Sequence, residues 1–558
     1  MALGFLPEAA AAHPLLNLLI KTLFLPLIFV AALLGVVRLY TSIRYHYDLR
    51  RFNLAPENTQ ETLAPPQIPY TLPFLGVALE FLAPYPGVFW SNLFRKYPRS
   101  TGVCSLFVGG KSINVLSSPT AVHAMFRMRT LDRRQTNRSM LIKGFGLNGD
   151  EFDRYYDVDE SNKLIEEHVF QELLLKTDSV NELTANFSRA LRNTLTSEDA
   201  VDETAEVGLY SWIQKHTFIA SVVSIMGDRL LEVYPEVARD FIDFDRDFMS
   251  MFFGIPRWVS PEPYNVRDRV LGGLERWRHA IHKESSGQVP DPFGEISWEP
   301  LFGSRMNRAR TKYYECQKLS PRGRASFDLG LLFGLASNSI PAVGWMLMHT
   351  LNPLGDKTLY GRIMEELKPV QKKDGTLDIP TLLTLPLLQS MFHEVLRVYA
   401  DVLVSRDLQA DLVLPLDESG KKKVYLNKNA SVMAPSWIGH HDETEWSGNA
   451  PCDTFYAERF LKADPETGKV AFSLTGTVGK YFPFGGGKSI CPGRVFAKQE
   501  VLASVALLLL GFDFEVIGFM DEKGGKADKF PGLRNAYLGS GVVVVGGDMK
   551  VKIKRRAV

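Results

Sequence analysis

Cysteine is scarce: Cys104, Cys316, Cys452 and Cys491 are the only four in 558 residues. Their wide, irregular spacing matches neither a disulfide framework nor a zinc ribbon and points to a reducing compartment. A surplus of either charge is also missing, since 64 Lys and Arg face 63 Asp and Glu. That balance removes the basic excess expected of a protein that grips a nucleic-acid backbone, so nucleic acid is not an expected partner. No internal repeat occurs. With 45% hydrophobic and 23% charged residues, the chain reads as ordered and able to bury a large core. The sequons at Asn137, Asn186 and Asn429 are short patterns that arise by chance, and they are read as unglycosylated.

One long apolar run is present. Thr22 to Val37 carries no charge, and Leu15 to Ile20 extends it across Lys21, which is enough to span a bilayer. Arg38, Arg44, His46, Arg50 and Arg51 follow, against only Glu8, His13 and Lys21 before it. The positive-inside rule therefore puts the C-terminal body in the cytosol. The run is long, lacks a basic cluster in front and has no small-x-small cleavage site behind, so it reads as a retained anchor and not a signal peptide. Residues 1–13 are then a short leader, 14–40 a transmembrane anchor and 41–76 a basic, proline-rich spacer. In the spacer Pro65, Pro66, Pro69 and Pro73 favour a stiff, extended path.

From 77 to 558 the pattern is one large domain, mainly helical with small sheets. Leu164 to Leu174 and Leu359 to Val370 have helical spacing. Ser112 to Leu116, Leu412 to Leu416 and Lys423 to Leu426 read as strands, and Val542 to Val545 with Lys550 to Lys554 as a hairpin turning at Gly546-Gly547-Asp548. Phe327 to His349 reads as one apolar helix interrupted by Ser337, Asn338 and Ser339 and kinked by Pro341, which leaves the carbonyl of Ser337 without its donor. Such a break suits a polar groove; a buried helix with satisfied polar groups is the plainer alternative.

The most informative stretch is Tyr481 to Glu500, YFPFGGGKSICPGRVFAKQE. Three glycines let backbone pass close to something flat or bulky, and Cys491 sits at the mouth of an apolar helix through Leu502 to Leu510. A cysteine at a helix N-terminus is expected to stay deprotonated, although a lone cysteine is ordinarily a small buried hydrophobe. Phe484, Gly487, Cys491 and Gly493 fit the haem-binding loop F-x-x-G-x-x-x-C-x-G, and here the sequence resembles the cytochrome P-450 superfamily. The resemblance implies that fold, preceded by one transmembrane helix, with haem b held by Cys491 as axial iron ligand. Phe484 would pack near the sulfur, and Gly487 and Gly493 would let the loop approach. A basic residue often lies two positions before that cysteine; here it is Ser489, beside Lys488.

Glu394 and Arg397 in MFHEVLRVYA lie three apart, on one helical face. Such a pair is usually a solvated contact, but it resembles the family's E-x-x-R, and FYAERF supplies Arg459. The resemblance makes these three a buried, structural charge network. It also implies that Arg406 binds a haem propionate, a surface arginine being the alternative, and that Ala336, Leu403 and Val404 line the substrate pocket. No tryptophan occurs between Trp90 and Trp212, so the family's W-x-x-x-R contact is missing. Ser337 and Asn338 stand where most members carry an acid and a threonine for proton delivery. A-S-N-S-I-P-A is closer to the branch of sterol 7α- and 12α-hydroxylases and prostacyclin synthase. The expected function is a monooxygenase using O2, and NADPH through a cytochrome reductase, on a lipophilic sterol or terpenoid at the endoplasmic reticulum membrane. The alternatives are a redox-neutral isomerase or dehydratase, or a haem-binding sensor.

Overall fold

The structure, a computed structural model, describes residues 25–54, 62–83, 85–97, 99–131, 133–157, 162–196, 205–464 and 466–556. The expected leader, 1–13, and the first part of the anchor, 14–24, lie outside them. The described residues divide into two compact units, one from residues up to Ala83, Phe89–Leu131 and Ser405–Ala434, the other from Pro84–Val88, Asp132–Val404 and Pro435 onward.

The first unit begins with the helix Leu25–Leu54, long and apolar enough to cross a membrane, with only 6% of its apolar window buried. Its second half docks. Thr41 Oγ1 donates to Tyr70 O at 2.9 Å, Arg38 donates to Pro69 O at 2.6 Å and to Tyr97 Oη at 3.0 Å, and Phe52 is buried. The strand Val103–Val108 pairs antiparallel with Lys111–Leu116, which Ser431–Pro435 joins in parallel. The proline-rich segment is bonded into this unit: Ile68 N donates to Ser105 O at 2.8 Å and Leu63 bridges Val424. Prolines suit such an edge because they need no ladder partner. Leu412–Pro415 and Lys423–Leu426 form a hairpin as the spacing predicts. Asn429, the tip of a sequon, is exposed with φ +66°.

The second unit holds the main core, built from Thr177–Thr196, Leu209–Met226, Val237–Phe252, Glu262–Glu284, Pro321–Ala336, Ser339–Leu351, Pro386–Tyr399 and Arg494–Gly511. Arg494–Gly511 buries nearly its whole length from Gln499 to Leu509, consistent with an all-round apolar helix in a core. Asn186, another sequon, is buried on Thr177–Thr196.

Two expectations need correcting. Phe327 to His349 is not one helix: Pro321–Ala336 stops, Ser337 and Asn338 form a turn, and Ser339–Leu351 begins anew. Pro341 therefore falls in a first helical turn, where a missing N–H is tolerated. The interruption comes from polar side chains that bond elsewhere, with Ser339 Oγ donating to Leu335 O at 2.5 Å and Asn338 Oδ1 accepting from Val542 N at 2.9 Å. The C-terminal hairpin is likewise absent. Gly541–Val542 pairs with Ala400–Asp401, Val545–Gly546 with Gly532–Leu533, and Asp548–Arg555 with both Phe512–Met520 and Ala205–Gly208. Long-range partners displace the local turn.

Candidate functional site

Cys491 lies in the loop just before Arg494–Gly511, with Gly493 as N-cap. Gly485 and Gly487 take φ of +71° and +67°, which only glycine adopts freely. They fold the loop back so that Cys491 N donates to Phe484 O at 3.0 Å. A Cβ on Gly493 would stand 3.9 Å from the sulfur.

Burial pushes the Cys491 thiol above its ordinary pKa. The N–H groups of Gly493 and Arg494 and the guanidiniums of Arg494 and Arg133 pull the other way and do not win. The helix terminus alone therefore does not hold the deprotonated sulfur that the sequence suggests; a thiolate here calls for a cation bound to the sulfur itself. Arg494 Nη1 donates to Cys491 O at 3.0 Å.

Glu394 is fully buried and bonded from three sides. Arg397 donates to both carboxylate oxygens at 2.8 and 2.9 Å, Arg459 Nε at 2.9 Å and Tyr456 N at 3.0 Å. Arg397 also donates to His440 O and Cys452 O. Arg459 caps Ala450, Pro451 and Thr454 carbonyls. Each charge is both paired and hydrogen-bonded, the condition under which a buried ion pair is tolerable.

The helix break borders open space. Gly334 and Asn338 are exposed one turn apart although most of their neighbours are buried, and nothing stands within 4 Å of a Cβ placed on Gly334. Ala336 is buried on the opposite face. Asn338 is steered by the backbone of Gly541, where a Cβ would meet Asn338 Oδ1 at 2.0 Å. Val404 is buried and Leu403 half-buried in the strand Leu403–Asp407. In the first unit, Arg406 is buried with Nη1 donating to Ser405 O at 2.8 Å.

The cytochrome P450 family model matches residues 314–529. The chain is 33% identical over 392 residues to cytochrome P450 monooxygenase calL of Penicillium decumbens, covering 69% of this chain and 70% of that protein. It is 27% identical to cytochrome P450 monooxygenase efuG of Hormonema carpetanum, covering 93% and 94%. It is 23% identical to cholesterol 7-alpha-monooxygenase of Cricetulus griseus, covering 87% and 92%. This chain belongs to the cytochrome P450 family. Its mainly helical fold with small sheets is the P450 fold, and family membership implies a haem-thiolate enzyme.

The P450 residues fit that group. Among the described residues no cluster of three or more His, Cys, Asp or Glu could hold a metal. A metal on Cys491 must then bring most of its own ligands, as a porphyrin does. The open face at Gly334 and Asn338 supplies room, and Arg133 supplies positive charge near the sulfur. Arg133 escaped the sequence reading because it follows no tryptophan; in LDRRQTNR nothing marks it. Two buried acids also escaped it. Asp401 has both carboxylate oxygens without a side-chain partner and is pushed up to about 7 by burial. Glu500, pushed up to about 7 by burial, accepts from Ser221 Oγ at 2.5 Å and faces Ser339.

Proposed function

We propose that this P450 is a membrane-anchored monooxygenase that draws electrons from NADPH through a cytochrome reductase and oxidises a lipophilic sterol or terpenoid, in natural-product metabolism. The observation that carries the reading is a half-buried cysteine, Cys491, in a glycine-shaped loop, together with a helix break that opens onto free space. Bound haem supplies reductive activation of O2 and insertion of one oxygen atom.

The chain's own residues do the rest. Cys491 would hold the haem iron through its sulfur; Phe484 would shield that sulfur, and Gly487 and Gly493 keep side chains out of its way. Arg406 would neutralise a haem propionate. Arg133 would add positive charge near the sulfur. Glu394, Arg397 and Arg459 hold the segment ahead of the cysteine loop in place, a positioning role. Ser337 and Asn338 hold and move protons at the helix break, while Leu403 and Val404 wall the substrate site; Ala336, turned to the buried face, does not line it. Lys488, exposed beside the cysteine, meets an acidic reductase surface. Lys421 to Lys423 are a poorer candidate, because the N–H groups of Lys421 and Lys422 wrap the Asp417 carboxylate in a turn.

The exposed apolar residues from Leu25 to Val36 and the basic run from Arg38 to Arg51 support a single pass with the body cytosolic, at the endoplasmic reticulum. The test is product mass after incubating microsomes carrying the protein with sterols and terpenoids under isotopically labelled O2. Reductase- and NADPH-dependent uptake of one labelled atom is expected. A mass-neutral product formed without reductase would replace this reading with the isomerase.

A further inference from the structure

Four polar side chains from four separate stretches of the second unit meet at the helix break with hydrogen-bonding capacity left over. The helix Val237–Phe252 lies on Pro321–Ala336 through Phe248 and Phe333, whose ring centroids are 4.2 Å apart, with Phe145 at 5.0 and 5.5 Å from them. Asp245 is three residues before Phe248, and Ser337 four after Phe333. On helices, three- and four-residue steps share a face, so this contact turns Asp245 and Ser337 toward each other.

Ser337 is 6% exposed and its Oγ completes no well-formed hydrogen bond. It lies close enough to Asp245 to favour that carboxylate. Tyr210 adds a buried phenol oxygen without a partner. Its ring is fixed against Gly344, where a Cβ would come within 2.4 Å, and its N–H donates to Asp548 Oδ1 at 2.7 Å. Arg534 contributes a buried Nε, also without a partner, and its charge acts on Asp245, Asp247 and Tyr210.

Leaving two buried donors, Tyr210 Oη and Arg534 Nε, unsatisfied in a folded protein is costly, and beside the Ser337–Asp245 pair they look outward to a ligand. We propose that Asp245, Tyr210, Ser337 and Arg534 form a hydroxyl-recognising patch in the substrate site, so that the enzyme prefers a lipophilic substrate already bearing an alcohol. An alcohol both donates and accepts, which matches a carboxylate beside two hydroxyls and a guanidinium. A carboxylate ligand does not fit, because two acids, Asp245 and Asp247, already outnumber the one arginine. A hydrocarbon would bury the patch unsatisfied, the situation in which polar sites discriminate best. The inference rests on the monooxygenase reading and narrows its substrate class.

The test is equilibrium binding of tritiated ligand pairs to the full-length, haem-loaded protein in lipid nanodiscs, read alongside the Soret shift. The pairs are cholesterol with 5-cholestene, lanosterol with its 3-deoxy analogue, and farnesol with farnesene. At least one alcohol should bind about tenfold or more tightly than its hydrocarbon, the effect of one hydrogen bond to a charged group. Tyr210→Phe and Asp245→Ala should each reduce that preference severalfold while hydrocarbon affinity and the haem spectrum stay as they were. Should Asp245→Ala fail to fold, Tyr210→Phe and Asp245→Asn carry the test. Equal or absent binding of all three alcohols, or a preference that survives every substitution, would overturn the patch. Oxygen insertion without alcohol preference sinks the patch alone, whereas alcohol preference in a protein that never consumes NADPH sinks the monooxygenase alone.

Discussion

Arg397 and Glu394 are both wholly buried, and removing one leaves the other's charge without compensation. Arg397→Ala should cost ~3–5 kcal/mol, read as a lower urea midpoint and poor haem retention on purification. Glu500 gives a pH signature. Its carboxyl is pushed from 4.5 up to about 7 in the fold, so the native state binds a proton that the unfolded chain has released. Stability from this group is full below pH 4.5 and is lost as pH rises toward 7. Glu500→Gln should remove that loss, leaving the variant more stable than the wild type at pH 8 by about 1–3 kcal/mol and little changed at pH 4.5. Urea melts at the two values decide it; a wild-type advantage at pH 8 would refute the assignment. At this scale the sequence displayed residues that belong to motifs, such as Cys491 and Glu394. Asp401 and Glu500 carry no local signal, because their perturbation arises from burial by distant segments.

The turn at Ser337 and Asn338 depends on a distant glycine. A side chain at Gly541 would strike Asn338 Oδ1 and would sit at φ +79°. Gly541→Ala should therefore push Asn338 off Val542 and destabilise the fold by about 1–3 kcal/mol, read as a lower thermal midpoint, with a changed Soret position in the haem-loaded protein. An unchanged spectrum and midpoint would show that Asn338 is not held from Gly541. Elements with their own periodicity, such as Leu359–Leu367 or the Leu412–Pro415 hairpin strand, were legible without a partner. The C-terminal strands were not. Val542 to Val545 reads as one strand, but backbone from Ala400–Asp401 and Gly532–Leu533 divides it between two pairings; alternation reveals a face and not who lies beside it.

For the whole molecule, the apolar helix Leu25–Leu54 separates into an exposed half and a docked half. Deleting residues 2–34 removes exposed apolar surface but keeps Arg38, Thr41 and Phe52 in their contacts. That chain should leave the membrane pellet and unfold at the wild-type urea concentration. Deleting residues 2–54 strips those contacts and the burial of Phe52, worth about 1.5–3 kcal/mol on its own, and should lower the midpoint. Equal midpoints for the two deletions would show the docking to be incidental. The hydropathy of the sequence marked the span but placed its end near residue 40; where apolar character stops, the helix goes on, because its polar half finds partners.

That continuity has a mechanical side. Among the described residues Leu25–Leu54 runs as one helix with no interruption between the exposed apolar part and the docked part. In the membrane-anchored reading proposed above, a rod held at one end by protein and at the other by lipid transmits angle. A bilayer thicker or thinner than the apolar length is met by tilt, and tilt of this rod must swing the first unit with it. On that reading lipid composition becomes an input to how the enzyme meets its substrate, with acyl-chain length acting as the adjusting screw.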